Sequence, residues 1–290
     1  MSSLIRLFIP PIFYKVREHI RFKHRPEYQE QLPIRDRVSD RMIVLGNGPS
    51  LTQSLDLYFD EITDAECMTV NYFAKSDWFE RLRPSVYVLM DPVFFSFPSS
   101  VEQTVLSLYD DLINKTTWDL TVVMPNMARH SLAPKRLSEN QHITTMFLGG
   151  NYSVPNGLTK YEAWGRNLLV PPGQTVLNTC VYLSVYWGYP ETFLIGADTS
   201  FLADLRIDQK TNELYSIDSH FYSHNLYLDN VYDQQGRKSV GTTLHEELKS
   251  IATALESYWD MKRFADWKGV KVYNASEFSW IDAYERRKLR

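Results

Sequence analysis

The stretch Arg41-Met-Ile-Val-Leu-Gly-Asn-Gly-Pro-Ser-Leu51 decides the reading of the fold. An apolar run stops abruptly at Gly46-Asn47-Gly48-Pro49-Ser50, as expected for a buried strand entering a tight turn. Ser50 or Thr52 is then placed to cap the following helix. Two glycines would let the backbone approach a ligand closely, Asn47 offers an amide, and a helix start favours phosphate. An ordinary strand-turn-helix explains the segment equally well. It is neither a Walker loop, since no Gly-Lys-Ser/Thr follows, nor Gly-x-Gly-x-x-Gly.

Outward from this turn the pattern repeats. Leu51 to Ile62 reads as a helix and Cys67 to Asn71 as a second strand. Val86 to Asp91 with Pro92 beyond it, Leu120 to Pro125 and Thr144 to Gly149 read as three more. Residues 151–173 read as loops over the sheet edge, and Gln174 to Trp187 as a helix stopped by Gly188 and Pro190. Thr192 to Asp198 is a further buried strand, and Val270 to Asn274 the last. Apolar runs separated by helical stretches predict an α/β fold, a Rossmann-like, mostly parallel sheet sandwiched by helices. Ligands bind such sheets at the carboxyl ends of strands, where Asn47, Asn71 and Asp91 fall.

Residues 199–242 lose all periodicity and are rich in Asp, Asn, Tyr, Ser and His, which predicts a lid segment. Thr243-Leu-His-Glu246 has capping-box spacing, and Leu244, Leu248, Ile251, Leu255 and Tyr258 form one apolar stripe of a helix packed on the sheet. The expected layout is an extension and linker over 1–40, a catalytic domain over 41–275 and a basic tail over 276–290, in which the cluster Arg286 to Arg290 reads most plainly as solvated.

The 290 residues are 44% hydrophobic with a formal net charge of -4, a balance that argues against a nucleic-acid partner. Cys67 and Cys180 lie in apolar runs and read as buried free thiols in a reducing, cytoplasmic compartment. Residues 1–25 combine Arg6, Lys15, Arg17, Arg21, Lys23 and Arg25 with Leu4, Leu7, Phe8, Ile9, Ile12 and Phe13. Too short an apolar run to span a bilayer, this segment suits peripheral attachment to an anionic inner-membrane surface, or packing on the protein itself or a partner.

His220 and His224, four apart in Ser219-His-Phe-Tyr-Ser-His224, are open to three readings: metal ligands, a general base, or hydrogen-bonded surface histidines. Asp198 is a site candidate at a strand end, or a loop cap. There is no Gly-x-Ser-x-Gly elbow and no Asp-x-Asp motif.

Taken in order, Gly46-Asn-Gly-Pro-Ser-Leu51, Val70-Asn71, Asp91-Pro92, Gly188-Tyr-Pro-Glu-Thr-Phe-Leu-Ile-Gly-Ala-Asp198 and Ser219-His-Phe-Tyr-Ser-His224 resemble the bacterial sialyltransferases of glycosyltransferase family 42. The resemblance covers roughly residues 41–275, and pterin-diphosphokinase-like domains share the glycine turn and the Gly-x-Asp strand. It implies a GT-A variant fold and an inverting, metal-independent transfer of sialic acid or a related sugar from a cytidine monophosphate (CMP) or similar donor. The product would be a surface lipopolysaccharide or capsule glycan. By position, it implies His224 as the catalytic base and Gly46, Asn47, Gly48, Ser50, Asn71, Asp91, Thr175, Gly196 and Asp198 as donor-binding residues. The family's arginine and serine beside that threonine are Gly173 and Val176 here, and Asp91 replaces its asparagine. Its two leaving-group tyrosines have no counterpart in register, leaving Tyr215, Tyr222 and Arg206 as substitutes. The partners implied are a nucleotide sugar and a glycan or lipid-linked glycan acceptor, with room for a homo-oligomer. The alternatives are a pterin-type diphosphokinase and a glycan-binding or assembly protein that has lost the chemistry.

Overall fold

The computed structural model describes residues 32–97, 99, 101–149, 154, 157–171, 175–220, 223–229 and 243–289. Residues 1–25, Tyr222 and Gly173 lie outside that set, as do the expectations that fall on them.

The quoted stretch forms β1 (Arg41–Leu45), the centre of an eight-stranded sheet. On one side of it follow β2 (Glu66–Val70), β3 (Val86–Val88), β4 (Leu120–Pro125) and β5 (Ile143–Leu148), each parallel to the last. On the other lie β6 (Glu191–Ile195), β10 (Lys271–Asn274) and β11 (Glu285–Arg286), also parallel. The chain therefore reverses direction across the sheet between β1 and β6, with Val44 opposite Leu194. That reversal parts the connecting segments and opens a crevice at the carboxyl ends.

Both faces of the sheet are covered because alternate side chains of each strand are apolar. Met42 and Val44 of β1, with Met68 and Val70 of β2, face α7 (Val176–Trp187) and α9 (Leu244–Lys268). Ile43, Leu45, Cys67 and Tyr87 face α1 (Leu51–Leu57), α2 (Phe59–Thr63), α3 (Trp78–Leu82), α4 (Glu102–Lys115) and α5 (Leu132–Leu137). Helix α7 is buried almost all round and ends as expected at Gly188, in the left-handed conformation with φ 78°.

Four local expectations are corrected. Residues 151–173 hold a helix, α6 (Lys160–Gly165), started by a capping box between Thr159 and Glu162. The lid segment is not structureless: α8 (Phe201–Asp204) leads into β7 (Leu205–Ile207), β8 (Leu214–His220) and β9 (Ser223–Asp229), a small antiparallel sheet. The basic end is solvated at Arg286, Arg287 and Lys288, but it is no loose tail, since β11 pairs with β10. Ile281, Ala283, Tyr284 and Leu289 are buried, and Arg287 lies 4.5 Å from the Tyr273 ring centre. Nor are residues 32–40 a free linker, since Leu32 sits in the core and Arg35 pairs with buried Glu66.

Helix α9 begins at the expected box, Glu246 accepting from the Thr243 N–H at 2.9 Å. Its stripe packs from Ile251 onward, mostly on α7 and β10, while Leu244 and Leu248 remain exposed. Both cysteine thiols are buried, and burial pushes Cys67 up to about 12. Among the described residues no helix is long and apolar enough to cross a membrane.

Candidate functional site

The crevice between β1 and β6 holds a cavity of about 510 Å³. Four strand ends reach it: Asn47 and Gly48 after β1, Asn71 after β2, Asp91 after β3, and Gly196 and Asp198 after β6. Thr175, at the start of α7, closes another wall, and Glu247, Ile251 and Tyr258 of α9 a third. Seven of the nine expected donor-binding residues thus line one cavity, although they are scattered over some 150 positions.

The two exceptions, Gly46 and Ser50, stand behind the wall. A methyl group on Gly46 would sit 2.4 Å from the Gly196 carbonyl, and one on Gly48 2.3 Å from the Asp198 carboxylate. The glycines therefore serve the packing of two turns, pinned by Gly46 N–H to Ile195 O and Gly48 N–H to Gly196 O, both 2.9 Å.

Ser50 does not cap α1 with its side chain. Its N–H donates to Asp198 Oδ2 at 3.0 Å and its hydroxyl to Oδ1. The protein's own carboxylate thus occupies the anion position that the sequence offered to a phosphate. Asp198 is 6% exposed, and burial pushes its pKa up, against the lowering effect of the two Ser50 hydrogen bonds.

The start of α7 is different. Thr175 accepts from Asn178 N–H at 3.3 Å, while Val176 and Leu177, whose amides come before the first intrahelical acceptor, line the cavity. The Thr175 hydroxyl also meets Tyr258 Oη at 3.0 Å, and Thr199 approaches the same phenol at 3.4 Å. Burial raises the Tyr258 pKa, so the phenol stays protonated as a donor.

The two asparagines each leave a buried amide oxygen without a partner. Asn47 Nδ2 donates to Val70 O at 3.0 Å, which sets the amide's orientation and leaves Oδ1 buried without a partner. Asn71 adopts φ 52°, a left-handed conformation that asparagine tolerates, and its Oδ1 is likewise unpartnered. Buried acceptors of this kind call for a donor, and a phosphate oxygen has none at neutral pH. Hydroxyl or amino groups of a ligand answer both. Asp91 is partly engaged already, accepting from Val93 N–H at 2.9 Å.

Glu247, Thr199 and Tyr258 were not among the sequence candidates. Tyr258 stands in the apolar stripe of α9 and is core; only the packing of α9 against α7 brings its hydroxyl to Thr175 at the cavity wall. Of the three leaving-group candidates, the two within the described residues are not assembled there. Arg206, on β7, donates to Leu205 O at 2.7 Å and to Ala203 O, and Tyr215 pairs with it across β8. Neither lines the cavity. His224 lies on β9, and its side chain is outside the described set.

No family model matches the chain, and no curated protein does. Among solved structures it is similar to a MAf glycosyltransferase from Magnetospirillum magneticum AMB-1, with 12% identity and a TM-score of 0.48. That likeness covers 89% of this chain and 35% of the other, so the chain spans about a third of that protein's length.

Proposed function

We propose that the protein is a glycosyltransferase that takes its sugar from a nucleotide-activated donor held in the β1–β6 crevice. The observation that carries this reading is the pair of buried, unpartnered amide oxygens of Asn47 and Asn71 at the mouth of a cavity that also meets the start of α7. A nucleotide offers hydroxyl and amino donors of its sugar and base to the first, and its phosphate suits the amides and positive end of the second. A CMP-linked donor, sialic acid or a relative of it, is the specific form we infer from the resemblance to the sialyltransferases, and a lipopolysaccharide or capsule glycan the acceptor.

Transfer would be inverting and free of metal, with His224 taking the acceptor's proton as the glycosidic bond to phosphate breaks. The Tyr258 phenol is a donor for the departing phosphate alongside Tyr222, while Tyr215 and Arg206 do not line the cavity. Residues 1–25 would hold the enzyme at the inner-membrane surface near a lipid-linked acceptor.

Isothermal titration against CMP, UMP, AMP, GMP and ATP, with and without Mg²⁺, tests the reading. Binding of a nucleoside monophosphate without metal is expected. A strict requirement for Mg²⁺ with ATP would replace it with the pterin-type diphosphokinase, and no nucleotide binding at all with a glycan-binding protein. With a donor identified, His224→Ala should lower transfer by about 10²–10⁴-fold while leaving donor affinity intact.

A further inference from the structure

The segment that follows β10 is held at almost every residue, yet it turns large aromatic rings outward. Asn274 Nδ2 donates to Ser279 Oγ at 3.0 Å and to Ile281 O at 3.1 Å. Ser279 Oγ donates to Ala197 O at 2.6 Å, and Trp280 N–H to Asp198 O at 2.8 Å. Ser276 and Ile281 are buried, while Phe278 and Trp280 are 50% and 37% exposed. Two residues beyond Trp280, Asp282 accepts the indole N–H of Trp259 of α9 at 3.1 Å, and that ring is 39% exposed.

Exposed rings on a segment this firmly pinned are not explained by core packing. Their location is specific: the Asp198 carbonyl that accepts from Trp280 belongs to a cavity-lining residue, and Trp259 follows Tyr258, another.

We propose that Phe278, Trp280 and Trp259 form a platform for a carbohydrate, the acceptor glycan, beside the donor cavity. The ligand class follows from the chemistry. A pyranose has an apolar C–H face that can cover an aromatic face, whose negative quadrupole attracts the C–H edges. The sugar's rim of hydroxyls meets the exposed carboxylate of Asp282 that already orients Trp259. Rigid rings lose little conformational freedom on binding, which suits a weak, repeated contact along a glycan chain. The proposal rests on the glycosyltransferase reading for the word acceptor, but not for the presence of the platform.

The test is saturation-transfer NMR of the full chain with lactose, maltotriose and chitotriose, alongside calorimetric CMP binding. At least one saccharide should receive magnetisation from protein aromatic protons. Its affinity should fall tenfold or more in Phe278→Ala and in Trp280→Ala and recover in Trp280→Phe, with thermal melting and CMP affinity unchanged throughout. No saccharide signal in the wild type, or a signal indifferent to both alanine variants, would overturn the platform. So would variant-sensitive binding to phosphatidylcholine vesicles in place of saccharides, which would mark a membrane contact. Platform-dependent saccharide binding without CMP binding would uphold the platform and remove the donor reading alone.

Discussion

Asp198→Asn and Asp198→Ala should behave very differently, because the carboxylate is a buried structural acceptor as well as a wall of the cavity. Alanine removes both acceptors of Ser50, at 3.0 Å from its N–H and in contact with its hydroxyl. A buried donor left unpaired costs about 1–3 kcal/mol. Ser50 is only half-buried and water can reach its hydroxyl, so the N–H dominates and a total of about 2–3 kcal/mol is expected. For a chain of this size, with an unfolding entropy of about 0.6 kcal/mol/K, that lowers Tm by roughly 3–5 °C. Asparagine keeps an acceptor for the N–H and removes a charge that burial disfavours, so its loss at pH 7 should stay under about 1 kcal/mol. The pH dependence carries the sign. The folded pKa of Asp198 lies above the ordinary 3.8, so its favourable contribution is complete below that value and is lost as pH rises through the folded pKa. Wild type should therefore lose ground to Asp198→Asn as pH increases across that window. Scanning fluorimetry from pH 4 to pH 8 reads both effects. An asparagine variant as unstable as the alanine one at pH 7, or a difference that does not change with pH, would refute the account of this turn.

Glu66 titrates in the opposite sense. Burial alone would raise its pKa, but hydrogen bonds from Tyr189, Arg35 and the Val38 N–H, with the charge of Arg35, outweigh it and hold the carboxyl below 4.5. Its contribution is present above that value and lost as pH falls through the folded pKa, and Glu66→Gln, which removes the charge but leaves Arg35 its hydrogen bond to Tyr189 Oη at 2.7 Å, should cost about 1–3 kcal/mol in urea denaturation at pH 7. Asn47→Ala should weaken nucleotide binding by about 1–3 kcal/mol in calorimetry, and unchanged affinity would move the nucleotide elsewhere. Truncation to Arg41 tests two ideas in one preparation. Salt-sensitive sedimentation with anionic vesicles should disappear, and stability should also fall, because Leu32 and the Arg35–Glu66 pair go with the segment.

What the sequence determined by itself is local and periodic. The apolar runs, the punctuation at Gly46, Gly188 and Pro190 and the box at Thr243–Glu246 are written in adjacent residues, and the parallel sheet follows because such runs must be buried on both faces. Strand ends bearing Asn47, Asn71, Asp91 and Asp198 could be picked out for the same reason. The small sheet of β7 to β9 could not, because its strands are polar and their partners are set by pairing rather than by burial. The α6 box at Thr159 and Glu162 was visible but surrounded by prolines and glycines that read as loop. Tertiary structure alone decided that Asp198 returns across 148 positions to fill the helix start at Ser50, displacing the phosphate that the glycine turn invited. It alone decided that Asn47 turns its nitrogen to Val70 and leaves its oxygen bare, and that Tyr258, buried in the core, carries its hydroxyl to Thr175 at the cavity wall. Hydrogen-bond satisfaction is a property of the assembled fold: each group's partner lies on another strand, at a distance the chain sets only when the sheet has closed.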